Sequence, residues 1–222
     1  MISVILPYWD RQGAAEEALR SMAKAYPDLE IEVVVVDDGN PVPFVVPDLP
    51  LAIRVVRRPL KHEQRSCIAA WNEGVRQARG DIICLSCAEV VHQRPVLAQM
   101  AAELENQGPM GYVLAAAWCP DFRQWHCHSS VPVPTCPPGT GLSFCSMLRR
   151  SLYDLVGGFD EAYMAGVGYE DRDFIQRMHR AGARFLIRDD LVVIHPKTGA
   201  TIAWPSEWFE TNRILYESRW PC

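Results

Sequence analysis

No apolar run in this 222-residue chain approaches the roughly 20 residues needed to span a bilayer. Its opening, MISVILPYWDR, has no charged leader running into a long apolar segment and no small-residue cleavage site, so a cytoplasmic protein is expected. Positive charge is not in excess. A net charge of −5 argues against broad binding to nucleic acid. There is no internal repeat, no low-complexity tract and no linker with a domain's worth of chain beyond it. The chain is therefore expected to form a single domain over 1–222, in two lobes at 1–110 and 111–222. The eight cysteines lack the dense framework of a small disulfide-stapled fold. Cys84 and Cys87 have CxxC spacing, but they sit at a strand, where residues three apart face opposite sides. The group Cys119, His126, Cys127, His128 and Cys136 matches no usual pair of zinc hooks, so buried thiols are expected instead.

The chain has ordinary globular proportions, 49% hydrophobic and 22% charged, enough for a substantial core. Residues 2–6 (ISVIL) read as a buried strand stopped by Pro7, and 13–25 as an amphipathic helix. Residues 31–40 (IEVVVVDDGN) form a continuous β-branched run that ends in two acids and a Gly-Asn turn. A short strand at 53–57, a helix from Gln64 to Ala78, a strand at 81–86 and a helix near 95–107 follow. This alternation predicts a three-layer α/β domain with a mostly parallel central sheet. In the second half, 115–120 (AAAWCP) reads as a strand, and GLSFCSMLRR as a strand passing into a helix. EDRDFIQRMHRAG reads as a helix closed by Gly182, and a strand at 184–194 leads to His195. A last helix covers 206–217, with Ser206 as its N-cap.

In open α/β sheets ligands gather at the carboxyl ends of the strands. Three such ends carry distinctive groups: Pro7-Tyr8-Trp9, Asp37-Asp38-Gly39-Asn40 and Cys87-Ala88-Glu89. An aromatic can flank a base, a carboxylate beside a turn can accept from a base or ribose, and a hard acid can hold Mg²⁺ or Mn²⁺ against a diphosphate.

Four stretches, SVILPYWDR, VVVVDDGN, AAWNEGVRQARGDIICLSCAE and GGFDEAYMAGVGYEDRDFIQRMHRAG, resemble in order and spacing the GT-A-fold glycosyltransferases of family 2. The last is also similar to the carboxyl-terminal part of the galactosyltransferase and polypeptide N-acetylgalactosaminyltransferase groups. The resemblance covers residues 2 to 196. It implies a nucleotide-sugar donor, a UDP-sugar as the expected one, bound by residues 1–110, with acceptor and catalytic groups in 111–222. Asp37 and Asp38 match the family's nucleoside-binding acids, and Pro7 and Tyr8 its first donor-loop positions. Asn72 and Gly74 match an Asn-x-Gly, with Trp71 in place of the usual Arg. Arg65 on the same helix is a candidate to neutralise diphosphate charge.

Cys87-Ala88-Glu89 falls on the family's Asp-x-Asp metal motif. Glu89 takes the position of the second acid, and a thiol replaces the first. The implied cofactor is Mn²⁺ or Mg²⁺, and His195 stands where related enzymes place a metal-binding histidine. Thiolate suits such cations poorly, so the expectation is a weakened but usable site. In YEDRDF, Asp171 corresponds to the base of inverting members and Glu170 to its acceptor-positioning neighbour. Val167-Gly168-Tyr169 replaces the Trp-Gly-Gly of the galactosyltransferase-like form, which bears on the acceptor.

The resemblance thus implies an inverting hexosyl- or N-acetylhexosaminyltransferase acting on a hydroxyl of a glycan, lipid-linked glycan, protein or modified nucleobase. The alternatives are a noncatalytic nucleotide-sugar-binding module, a retaining glycosyltransferase and a nucleotidyltransferase. Intact Glu170-Asp171 speaks against the first, and the lack of a Gly-rich, Lys/Arg-bearing loop after the first strand against the last.

Overall fold

A computed structural model describes residues 1–60, 66–134, 136–196 and 205–221. Its strands are β1 (Ile2–Tyr8), β2 (Ile31–Asp37), β3 (Ala52–Arg57), β4 (Ile82–Ser86), β5 (Gly111–Cys119), β6 (Gln124–Cys127), β7 (Cys145–Arg149) and β8 (Arg184–Ile194). Its helices are α1 (Gln12–Ala25), α2 (Ile68–Gln77), α3 (Leu97–Gln107), α4 (Arg150–Leu155), α5 (Glu170–Arg180) and α6 (Ser206–Arg219). A 3-10 turn at Glu161–Ala165 precedes α5.

The strands form one sheet in the order β3-β2-β1-β4-β7-β5-β6, with β8 pairing with β5 off that path. β1 runs parallel to both β2 and β4, and β2 parallel to β3. Every residue of β2 is buried, as a β-branched run covered on both faces should be. α1 buries Ala15, Ala18, Leu19 and Met22, one helical stripe. α2 packs on β1 and β2, and does so closely. A Cβ on Gly74 would stand 2.3 Å from Ile5 Cγ2, so only glycine fits there.

The sheet passes without a break across the 110/111 boundary between the expected lobes. β7, from the second half, inserts antiparallel between β4 and β5, and β5 then takes β8 in parallel. The three-layer fold with a largely parallel core is thus present, with β7 and β6 as its antiparallel members. Several local expectations need correction: β1 runs through Pro7 to Tyr8, and Ser66 and Cys67 lie ahead of α2 rather than within it. The short strand β6 escapes the sequence reading because it is half-exposed and lacks a clear alternation. Ser206 is the first residue inside α6; the N-cap is Pro205, and no side chain caps the helix.

Because β2 and β4 flank β1 on opposite sides, the carboxyl ends of all three meet where the strand order reverses. That is the position at which an open α/β sheet leaves a crevice.

Candidate active site

A cavity of about 230 Å³ opens at this crevice. Pro7, Tyr8, Trp9 and Arg11 line it from the end of β1, Cys87, Ala88 and Glu89 from the end of β4, and Cys67, Ile68 and Trp71 from α2. Leu142, Ser143 and Phe144 close another side together with Phe159, and Glu170 and Asp171 face in from the start of α5. Positions 163 residues apart thus share one cavity.

The turn carrying Glu89 is fastened at both ends. The Cys87 N–H donates to the Phe144 carbonyl (3.0 Å), and Val91 exchanges two backbone bonds with Ile194 (2.8 and 3.0 Å). The His195 N–H in turn donates to the Trp118 carbonyl (2.9 Å). These bonds bring Glu89 Oε1 to 3.5 Å from His195 Nε2. Arg11 Nη1 donates to the same oxygen at 3.0 Å. Burial alone would raise the Glu89 carboxyl, but the hydrogen bond and charge of His195, together with Arg11, outweigh it and hold the group below its ordinary value. Glu89 is ionised at neutral pH.

Cys87 differs. Burial, reinforced by the charge of Glu89, pushes its thiol well above the ordinary value, so it stays neutral. Among the described residues no group of three His, Cys, Asp or Glu could hold a metal ion. Among the described residues, the carboxylate of Glu89 and the imidazole of His195 could contribute to a cation shell. This oxygen and nitrogen pair fits Mn²⁺ when diphosphate oxygens and water supply the remaining ligands. The imidazoles of His126 and His195 pack at 5.0 Å with Phe144 against His195 at 4.9 Å, which shields the pair on one side.

Across the cavity, α5 starts from two consecutive left-handed residues, Gly168 (φ 77°) and Tyr169 (φ 68°). A side chain is strained in that region, so the glycine serves the turn directly, while Tyr169 must be held there by its surroundings. Three acids then occupy the first turn of α5, and the structure divides them by their partners. Asp173 is buried and saturated, accepting from Arg177 Nε (2.8 Å), Trp220 Nε1 (2.9 Å) and the Tyr163 hydroxyl (3.3 Å). It is a structural acid. Glu170 and Asp171 are half-buried, enclosed by protein yet open to the cavity. Among the described residues, Glu170 Oε1 meets the distant Ser66 hydroxyl at 3.5 Å, and Oε2 has no hydrogen-bond partner. Burial and then the neighbouring Asp171 push the Glu170 carboxyl up to about 8. Burial raises Asp171 too, against the opposing hydrogen bond that its Oδ1 accepts from the Arg172 N–H (2.8 Å). Both carboxyls are thus raised, and the pair holds a proton near neutrality.

Other expected donor-site residues lie elsewhere. Asp37 has no exposure, and both its oxygens are committed: Oδ1 to the Asn40 backbone (3.0 Å) and amide (2.8 Å), Oδ2 to the Phe44 N–H (3.0 Å) and Arg57 (3.2 Å). In this arrangement Asp37 holds the β2 turn together. Asp38 is 2% exposed, pairs with Arg58 at 2.7 Å and does not line the cavity. Asn72 is engaged as well. Its amide bridges the Phe159 carbonyl (2.9 Å) and Glu161 (3.0 Å), and its oxygen accepts from the Tyr153 hydroxyl (2.7 Å) and the Phe159 N–H (2.9 Å). It ties α2 to the Gly-Gly-Phe-Asp-Glu loop. Arg65 lies outside the described residues.

Sequence reasoning passed over Arg11 and Phe144. Arg11 belongs to the SVILPYWDR stretch already singled out, and its position beside two strand-end aromatics was the available signal. Nothing in the sequence around Phe144 marks it as a site residue.

The description "Glycosyl transferase family 2" matches residues 3–157, and "N-terminal domain of galactosyltransferase" matches 124–195. No curated protein gives a significant sequence match. Among solved structures, TarS 1–349 of S. aureus in complex with UDP-GlcNAc superposes with a TM-score of 0.69 at 19% identity, over 96% of this chain and 65% of that one. The mannosyltransferase PcManGT of Pyrobaculum calidifontis, in complex with GDP-Man and Mn²⁺, gives 0.65 at 18%, over 98% and 63%. The chain spans 38% of the longer TarS chain and less than two thirds of these others. At such identities the structures establish a shared GT-A fold. The first match, by contrast, runs through β1, the β2 turn, α2, the Glu89 loop and β7 without interruption, more than half the sequence, and on that ground the chain belongs to glycosyl transferase family 2.

Proposed function

We propose that this protein transfers a sugar from a nucleoside diphosphate sugar, with UDP as the nucleotide, to an acceptor hydroxyl with inversion at the anomeric carbon. The observation that carries this reading is that Glu89 and Asp171 line one cavity, as a leaving-group end and a proton-accepting end must. In the reaction the acceptor oxygen bonds to the anomeric carbon, the carbon–oxygen bond to the diphosphate breaks, and the hydroxyl proton passes to a carboxylate. Asp171 is that carboxylate: it faces the cavity, and its Oδ1 is held by the Arg172 N–H at 2.8 Å. Glu170, protonated near neutrality, donates a hydrogen bond that orients the acceptor oxygen.

At the other end Glu89 and His195 would hold a divalent cation, Mn²⁺ in preference to Mg²⁺ because of the imidazole. Such a cation neutralises charge on the departing diphosphate. Pro7 and Tyr8 border the nucleotide end, where the Tyr8 ring, set edge-on by Phe44 at 4.8 Å, is placed to flank a base. The donors bound in the TarS and PcManGT structures support a nucleotide sugar as the ligand class.

The test pairs binding with turnover. UDP at a hundred times its dissociation constant, with Mn²⁺, should stabilise the protein by about 2.7 kcal/mol, and Asp171→Asn should retain that stabilisation. Transfer by the variant should fall about a hundredfold to ten-thousandfold, the usual cost of losing a general base. Full activity in a folded Asp171→Asn protein would place the base elsewhere. No thermal response to any nucleoside diphosphate would sink the donor assignment.

A further inference from the structure

The carboxylate oxygen that faces His195 is also the one Arg11 holds. Nη1 of Arg11 lies 3.0 Å from Glu89 Oε1, and Nε2 of His195 lies 3.5 Å from the same atom. Arg11 is built into this place. It is the residue at the N-terminal boundary of α1, directly after Asp10, whose φ of 48° turns the chain back over the end of β1. The Asp10 N–H donates to Asn40 Oδ1 at 2.7 Å, and the Asn40 amide is fixed by Asp37 (2.8 Å) and by the Tyr8 carbonyl (3.2 Å). A buried chain of bonds from the β2 turn thus aims the guanidinium at Glu89. The charge count around that carboxylate is short by one acid, because Cys87 stands where a second carboxylate would. The guanidinium of Arg11 sits directly on Glu89, so an incoming divalent cation meets a carboxylate that is already paired.

We propose that Arg11 is the resident counter-ion of Glu89 and competes with a divalent cation for it, so that the protein takes up Mn²⁺ together with the donor's diphosphate rather than before it. This rests on the reading of Glu89 as a ligand of the donor-bound cation. A diphosphate brings the missing negative charge. Arg11 already lines the cavity, and a guanidinium that leaves Glu89 finds in phosphate oxygens a bidentate partner of matching geometry. Diphosphate binding and cation binding are then coupled, each raising the affinity of the other.

The experiment titrates Mn²⁺ into the full chain, following free Mn²⁺ by electron paramagnetic resonance, without and with saturating UDP. Two like charges sharing one partly buried carboxylate oppose each other strongly enough to shift affinity by an order of magnitude. In the absence of UDP, Arg11→Gln is therefore expected to bind Mn²⁺ at least about tenfold more tightly than wild type. The factor by which UDP tightens Mn²⁺ binding should shrink correspondingly. Arg11→Lys keeps the charge and should stay within about threefold of wild type. Arg11→Met serves as a second neutral variant, and melting curves confirm that each protein is folded. Unchanged or weaker Mn²⁺ binding in both neutral variants overturns the competition, as does a lysine variant that behaves like them. If in that case Glu89→Gln still loses UDP-dependent Mn²⁺ binding, the proposed function stands without this refinement. A Glu89→Gln protein that binds Mn²⁺ like wild type with and without UDP overturns the competition and the cation site together.

Discussion

Asn212, on α6, donates through Nδ2 to the carbonyl of Gly168 at 2.8 Å, two residues before Glu170. The same amide donates to the Tyr163 carbonyl at 3.0 Å, and the side chain is fully buried. The left-handed Gly168-Tyr169 pair that starts α5 is thereby held from outside, by a helix lying beyond both matched stretches, which end at residues 157 and 195. Val167 reinforces the contact, its N–H donating to the Trp208 carbonyl at 3.2 Å.

Asn212→Ala should therefore strand two carbonyls, at about 1–3 kcal/mol for the group. For a chain of this size that lowers the melting temperature by about 2–12 °C. Transfer should fall by more than donor affinity, because the acids at the start of α5 lose their register while Glu89 and Tyr8 keep theirs. Melting curves and a kcat-against-KM comparison decide it. Equal losses in kcat and donor affinity would mean the contact serves stability alone.

The shared proton of Glu170 and Asp171 makes stability depend on pH in a definite direction. The folded-state value of Glu170 is raised from 4.5 to about 8, so between these values the folded protein holds a proton that the unfolded chain has released. The contribution is fully present below about pH 4.5 and is lost as pH rises towards 8. Asp171, raised as well, acts in the same sense. Urea midpoints should decline from pH 5.5 to pH 8.5, and Glu170→Gln should flatten much of that slope. A wild-type slope that survives the substitution would assign the pH dependence to other groups.

Asp37→Ala separates scaffold from ligand contact. The substitution leaves the Asn40 and Phe44 N–H groups and the Arg57 guanidinium without their acceptor. A loss of about 3 kcal/mol is expected from removing one partner of a buried charged network. In calorimetry at a temperature where the variant is still folded, UDP affinity should fall by less than about tenfold. A large loss of affinity in a protein of unchanged stability would make Asp37 a nucleoside contact instead.

Much of the first half of the fold was legible from composition alone. The runs ISVIL, IEVVVVD and IICLS are apolar and β-branched because each strand is covered on both faces, and a helix separates most of them. The stop signals also worked: Gly182, with φ 85°, closes α5 as a glycine after a helix should. β6 was not legible, because a four-residue, half-exposed edge strand leaves too little pattern to recognise. Nor was the insertion of β7 between β4 and β5, since pairing between residues about 60 apart leaves no local trace in either strand.

The sequence by itself determined the strand ends, their acids and the order of the family's motifs, because these are local features written in consecutive residues. It could not distinguish a committed acid from an available one. Asp37, Asp173, Glu89, Glu170 and Asp171 are all carboxylates at strand or helix ends. Tertiary structure alone gives Asp37 and Asp173 a full set of donors and leaves Glu170 Oε2 with none among the described residues. It also sets Arg11 and His195, separated by 184 positions, on one oxygen of Glu89. The physical reason is that a carboxylate's chemistry depends on how many donors and charges reach it, and those arrive from segments that only the folded sheet brings together.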